Sequence, residues 1–394
     1  MRRRRAAACL LATTLVMTLA ASSPAPPVPP PDAGAGATPM VVFGYNDLGM
    51  HCMNEDFSEI MILPPFNTLH AQVIDRSERE PKIVKSGVTV EYRIPGNTHS
   101  ADKTNFWKYW QPVFGPPKPP NVGLTGNGLS GQMLPTGDND WQVTGIPITP
   151  TDDAGRDNPY PLAVITVKRR GEVLATTQAV VPVSTEINCH LCHNTPGISP
   201  ALDLLRAHDR RHGTNLEDEQ PVLCAKCHAD NALGLPGDPQ LPNLSSAMHL
   251  AHAPRMGGLP FEEACYACHP GARTKCQRDV HFDRGIGCTD CHGDMEAVGD
   301  PNRNPWLDEP RCGDCHRRPG FEFEQPGTLY RNSVGHKKVH CAACHGSPHA
   351  ITPTVTEVDN LQAQTLQGHP GVIDTCTVCH RDGPPGQFFH KVND

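Results

Sequence analysis

The sequence predicts two domains of different construction. Residues 40–185 read as a β-rich, sandwich-like domain, and residues 186–394 as a loop-rich, mostly short-helix domain. Three observations carry this division. Alternating and β-branched runs are concentrated before residue 185, whereas every cysteine except Cys9 and Cys52 lies after it. Aromatic residues make up 5% and apolar residues 38% of the 394 positions, too few large side chains for two ordinary cores, so the second domain needs another filling. The 35 glycines and 41 prolines make the chain rich in turns without reaching a low-complexity composition.

Residues 1–23 have the layout of a secretory signal peptide. Arg2, Arg3, Arg4 and Arg5 precede an apolar stretch from Ala6 to Ala21, too short for an ordinary membrane span, and Ala20 to Ser23 offer a cleavage site. A retained anchor is the alternative. Cys9 would leave with the signal. Residues 24–39 carry seven prolines with Gly34 and Gly36 and form a Pro-rich linker. In the β-rich domain Val88 to Ile94 alternates with period two. Leu162 to Val167 and Val173 to Val183 are strand-like runs joined by Arg169-Arg170-Gly171-Glu172, a hairpin signal. Phe106-Trp107-Lys108-Tyr109-Trp110 reads as core rather than as a docking patch. The formal charge of −8 becomes about −12 once the four leading arginines are removed, and no basic stripe remains, which excludes nucleic acid as an expected partner.

From residue 186 the texture changes. The motif Cys-x-x-Cys-His occurs seven times, as Cys189/Cys192/His193, Cys224/Cys227/His228, Cys265/Cys268/His269, Cys288/Cys291/His292, Cys312/Cys315/His316, Cys341/Cys344/His345 and Cys376/Cys379/His380. Two thiols at this spacing can add to the two vinyl groups of one haem, and the histidine that follows binds its iron. Paired Cys-x-x-Cys also serves zinc ribbons, but those do not require histidine after every pair. Seven copies therefore predict seven haem c groups, with about 30 residues for each, so the haems themselves must form much of the core.

A second axial ligand would make each iron six-coordinate. Beyond the motifs the region holds His190, His208, His212, His249, His252, His281, His336, His340, His349, His369 and His390. The expected distal ligands are His208, which ends an apolar helical stripe from Leu202, and His249 with His252, three apart on one helical face. His336 and His349 flank the sixth motif, while His281 and His369 each stand seven residues before an attachment cysteine. His212 and His390 are further alternatives, and so are His190 and His340, although these two touch attachment cysteines and are awkwardly placed for an iron. No catalytic residue is expected.

On the segments Leu205-Arg-Ala-His208-Asp, Cys265-Tyr-Ala-Cys-His-Pro-Gly271, Thr289-Asp-Cys-His-Gly-Asp-Met295 and Gly335-His336 through Cys341-Ala-Ala-Cys-His-Gly-Ser-Pro-His349, the chain resembles the multihaem c-type cytochromes of metal-reducing bacteria. Asn46-Asp-Leu-Gly-Met-His-Cys-Met-Asn54, with Ile62 to Asn67, is similar to a module found ahead of such haem regions. The resemblance implies electron transfer in the periplasm or at the cell surface, towards redox proteins and extracellular metal or quinone acceptors, and in some relatives assembly into filaments.

The expected function is therefore electron transfer through mostly bis-histidine, low-spin haems, in a protein exported to the periplasm or the outer surface. The acidic charge would steer partners with basic docking faces. A multihaem reductase of nitrite, hydroxylamine or a sulfur oxyanion, with one open haem, is the enzymatic alternative; a filament subunit or a peripheral membrane association are others. Cys52 and Cys276 are left outside the motifs, and in an oxidising compartment they form a disulfide between the two domains, with two buried thiols, or a catalytic or metal-bound Cys52 next to His51, as the alternatives. His51, His70 and His99, the β-rich domain's histidines, read as ordinary surface or core residues, with a haem cap or a separate metal site as alternatives.

Overall fold

The computed structural model describes residues 38–259, 264–319, 323–325 and 327–383; the signal peptide, most of the linker and His390 lie outside the described residues. Strands β1 (Met40–Tyr45), β2 (His51–Cys52), β3 (Ile60–Met61), β4 (Leu69–Asp75), β5 (Lys82–Ile83), β6 (Thr89–Arg93), β7 (Ser130–Pro135), β8 (Trp141–Val143), β9 (Leu162–Arg169), β10 (Glu172–Val180) and β11 (Val183–Ser184) precede residue 186, and β12 (Val222–Leu223) follows it. The helices are α1 (Trp110–Phe114), α2 (Pro200–His212), α3 (Leu244–His252), α4 (Cys288–His292), α5 (Met295–Val298), α6 (Cys312–Cys315), α7 (Cys341–His345) and α8 (Glu357–Gln367).

The β-rich region is one antiparallel eight-stranded sheet, ordered β1-β4-β8-β7-β6-β9-β10 with β5 on β4, rather than two sheets packed face to face. Its two ends, β1 and β10, approach each other and nearly close the sheet on itself. Alternation along a strand marks one buried face, and a sandwich and a rolled sheet share that pattern, so the sequence alone does not separate them. The β9–β10 hairpin turns at Arg170 and Gly171, with φ of 52° and 87°. Two positive φ values make a primed turn, whose twist matches that of its strands.

The seam between β1 and β10 is bridged from the second region. The Gln362 amide of α8 accepts Gly44 N–H at 2.7 Å, donates to Gly44 O at 3.1 Å and accepts Thr177 Oγ1–H at 2.9 Å. Gly44 is required there, because a Cβ would lie 2.5 Å from Ile165 Cδ1 and 2.8 Å from Ala179 Cβ. The run Met40-Val-Val-Phe-Gly-Tyr45 is buried along its whole length because β1 faces two interiors. Met40 and Val42 enter the core of the sheet, whereas Val41, Phe43 and Tyr45 pack on Ala342, Ala343 and Val378 of the sixth and seventh motifs. Phe106 and Trp110 belong to the core, edge-on to each other with centroids 5.4 Å apart.

The second region also anchors on the first through a short parallel pairing, β12 on β3, while β11, the last strand of the first region, pairs parallel with β2. Arg278 is fully buried, donating to Asp359 at 2.7 and 2.9 Å and to Gly49 O at 2.8 Å, with Tyr160 beneath its guanidinium. Among the described residues no helix is long and apolar enough to cross a membrane.

Candidate functional site

Every attachment motif folds into a single helical turn. In five of them the histidine N–H donates to the carbonyl of the first cysteine: His193 to Cys189 at 2.9 Å, His228 to Cys224 at 3.0 Å, and His269, His316 and His380 to Cys265, Cys312 and Cys376 at 2.8 Å. The other two motifs are α4 and α7 themselves. Positions i, i+3 and i+4 of a helical turn share a face, so both thiols and the imidazole point the same way. In α4 and α6 an aspartate within the motif starts the turn, as Asp290 accepts Gly287 N–H at 2.8 Å and Asp314 accepts Arg311 N–H at 3.3 Å.

Six motif imidazoles each face one non-motif imidazole from elsewhere in the chain. The ring centroids are 6.5 Å apart for His193 and His252, 6.4 Å for His228 and His208, and 6.2 Å for His269 and His249. They are 6.0 Å apart for His316 and His281, 6.0 Å for His292 and His349, and 6.1 Å for His380 and His336. Metal–imidazole bonds of about 2 Å on both sides of one ion, with about 1.2 Å from nitrogen to ring centre, require about 6.4 Å. The residues therefore fit an iron between each pair. His208 and His212, at 4.7 Å, are in direct ring contact and leave no such gap.

The outer nitrogen of many of these rings is tied down. On α3 the Nδ1–H of His249 donates to Ser245 O at 2.7 Å, and that of His252 to Met248 O at 2.6 Å. The α3 N-terminus is set by Asn243, whose side chain accepts Ser246 N–H at 2.8 Å. His228 Nδ1–H donates to Pro242 O at 2.8 Å, and His281 Nδ1–H to the buried Asp279 at 3.1 Å. His208 Nδ1–H donates at 2.9 Å to Thr214 Oγ1, which in turn donates to Asp209 at 2.6 Å. His349 Nδ1 lies 3.8 Å from Cys276 Sγ. Anchoring Nδ1 selects the tautomer that presents Nε2 to a metal. Burial pushes His269 and His349 down to about 4 and lowers His193, His208, His249 and His292, which keeps them neutral as iron ligation requires.

The attachment cysteines divide into two environments. Where the thiols are withdrawn from water they stay protonated: burial raises Cys224, Cys268 and Cys344 to about 11, and Cys312, Cys341 and Cys379 to about 12. Cys192, Cys227, Cys291 and Cys315 are exposed. Each is the second cysteine of its motif. Cys192 and Cys227 stand just past the 3-10 turns Cys189–Leu191 and Cys224–Lys226, each donating its N–H to the first cysteine's carbonyl at 3.2 Å. Those turns end at the surface, so the first cysteines, Cys189 and Cys224, are half-buried while the closing ones meet solvent. The second motif also reaches inward, since Ala225 between its cysteines is buried in the core of the sheet. Among the described residues no three or more of His, Cys, Asp and Glu converge in the way a tetrahedral zinc site would need.

The remaining histidines sit otherwise. His369, expected as a distal ligand, is exposed, with Nε2 3.4 Å from Asp374 and Nδ1–H donating to Pro370 O at 3.0 Å; the structure does not bring it to a motif imidazole. It follows Gly368, the αL cap that ends α8, and precedes proline, which holds it in an extended turn. His190 is exposed, and His340 is buried against Asp138 O at 2.8 Å. His345, the sixth motif's histidine, closes α7, where its carbonyl accepts Thr352 N–H at 2.8 Å.

In the β-rich region His51 is buried beside Pro64 O at 2.8 Å, and burial lowers it to about 4. His70 is buried between Asp140 at 2.7 Å and Asp47 at 3.7 Å. Burial pulls His70 down, but those two carboxylates outweigh it and carry it up to about 9. His99 lies on the surface with Asp102 at 2.6 Å.

Sequence reasoning did not single out Asp279, Thr214 or Asp209. Asp279, two residues before His281, is the one of the three with a local signal, since an aspartate there can turn back onto the backbone. No family model, no curated protein and no solved structure matches this chain.

Proposed function

We propose that this chain is an exported electron-transfer protein whose second region holds seven c-type haems, mostly between two histidine imidazoles, and relays electrons across the periplasm or to extracellular acceptors. One observation carries the reading: six motif imidazoles each oppose a single distal imidazole at 6.0–6.5 Å. Haem, when bound, supplies a one-electron iron couple at each position. The chain's residues do the rest. The motif cysteines would tether each ring, and the anchored Nδ1 groups hold the imidazole planes in place, so little would move when an electron arrives.

The ligands also interleave the centres. Helix α3 carries His249 for the third motif and His252 for the first, one turn apart, so these two centres would be neighbours. His345 belongs to the sixth motif, and His349, four residues on, faces the fourth. Neighbouring centres form the path that electron relay needs. A reductase needs an iron with an open face, and a distal imidazole at six positions argues against that at each of them.

The test is a haem count by pyridine haemochrome with low-temperature EPR on the oxidised, purified protein. Seven haems per chain with low-spin signals are expected. A stoichiometric high-spin signal in the intact protein would favour the reductase, and a chain without covalent haem would overturn the reading. His208→Ala and His349→Ala should each turn one haem high-spin with all seven still attached, while His369→Ala leaves the spectrum unchanged.

A further inference from the structure

Cys52 and Cys276 lie outside the attachment motifs, yet the fold brings them to one place beside a candidate haem ligand. Cys52, at the end of β2, is in register with Ser184 of β11. Ser184 Oγ shares a 2.8 Å hydrogen bond with Thr274 Oγ1, two residues before Cys276. Glu186 pins the same loop, accepting the backbone N–H groups of Ala272, Arg273 and Thr274 at 2.7–3.0 Å. From the other side Arg278 donates to both Gly49 O, at 2.8 Å, and Cys276 O, at 3.1 Å, which ties the approach to β2 to the approach to Cys276. Cys276 bears electrostatically on Cys52, and both thiols are half-buried.

The second half of the observation is His349. Its Nδ1 is 3.8 Å from Cys276 Sγ, and its carbonyl accepts Arg278 N–H at 2.9 Å, so the segment bearing Cys276 runs alongside it. Its ring faces His292 of the fourth motif. Two neighbouring sulfurs, one of them 3.8 Å from a candidate distal imidazole, are more than a spare structural bridge requires.

We propose that Cys52 and Cys276 form a dithiol–disulfide couple that exchanges electrons with the haem held by His292 and His349. The inference rests on the haem reading above. In the oxidising direction the two thiols lose two protons to water and two electrons, the Sγ–Sγ bond forms, and two ferric haems of the chain each take one electron. The reverse step takes two electrons from two ferrous haems and two protons from water, and breaks that bond. The couple is a two-electron store on a one-electron relay.

The experiment uses the holoprotein, poised at an electrode in the fully oxidised or fully reduced state, quenched in acid, denatured and alkylated with N-ethylmaleimide. Mass spectrometry of the peptides then reads Cys52 and Cys276, and thioether cysteines do not react. The expected result is no alkylation of either cysteine in the oxidised state and alkylation of both in the reduced state, with nine electrons per chain by coulometry rather than seven. Cys52→Ser should return the count to seven and leave the haem potentials in place. Cys276→Ser should return it to seven and also shift one haem's equilibrium about tenfold, or about 59 mV for one electron, because His349 loses its sulfur partner. Equal alkylation in both states, or seven electrons in the unaltered protein, overturns the proposal. A haemochrome count other than seven instead refutes the haem reading beneath it.

Discussion

The two regions solve the same packing problem in opposite ways. In the β-rich region Phe43, Phe57, Phe106, Leu69, Ile94, Met133, Ile146 and Ile148 are fully buried, and the rolled sheet is filled by side chains. Among the described residues of the second region, the one comparably large and fully buried side chain is Arg278, and most of the buried apolar residues are small: Ala225, Ala267, Ala342, Ala343, Ala350 and Ala363. Apolar burial stabilises by about 25 cal/mol per Å², and alanines supply little area. On the reading proposed above, seven haems would supply the volume that these small residues leave. The first region fills its own core, and the second would then depend on haem and on its contacts with the first.

The largest effect should come from removing the cofactor. Full-length protein produced without covalent haem attachment should show hydrogen exchange near unfolded rates across residues 264–319, while β4, β9 and β10 stay protected. Equal protection of both regions would break the comparison. A smaller effect is expected at the join. Arg278→Ala would strand the buried Asp359 carboxylate and the Gly49 carbonyl, costing about 3–5 kcal/mol in denaturant unfolding of the holoprotein. Arg278→Lys should recover only part, since an ammonium cannot pair both carboxylate oxygens in the guanidinium's planar geometry.

The smallest effect sharpens the comparison through pH. His70 is raised in the folded state, so its stabilisation is complete below the free-histidine value near 6.5 and is lost as pH rises through about 9. Stability of the β-rich region should fall by up to about 3 kcal/mol across that interval, and His70→Gln should flatten the slope. A slope unchanged in the variant would remove His70 from the account.

Particular residues show how far the sequence could be read. The β9–β10 hairpin was legible because Arg170-Gly171 supplies the two positive φ values that its turn demands. Helix α3 was legible in the spacing of His249 and His252, which fall one turn apart, whereas its start at Asn243 came only with the structure. His281 and His369 were indistinguishable by spacing, as both stand seven residues before an attachment cysteine. The fold separates them: His281 turns onto the buried Asp279 and meets His316, whereas His369 is held at the surface between Gly368 and Pro370. Seven identical motifs likewise hid the difference between Cys192 or Cys227 at the surface and Cys341 in the interior, since burial depends on what packs over a turn. The single rolled sheet in place of two packed sheets was also beyond reach, because strand order depends on contacts between distant segments.

By itself the sequence determined the seven attachment motifs and the surplus of histidines. Their chemistry is local: two thiols and an imidazole fall on one face of a single helical turn wherever Cys-x-x-Cys-His occurs. Only the tertiary structure decided which histidine faces which motif, that His349 meets His292, and that Cys276 lies beside His349 with Cys52 near it. Those are meetings of segments far apart in the chain, and no short-range periodicity encodes them. They are set by β1 docking on the sixth and seventh motifs, by Gln362 across the sheet seam, and by Arg278 between the two regions.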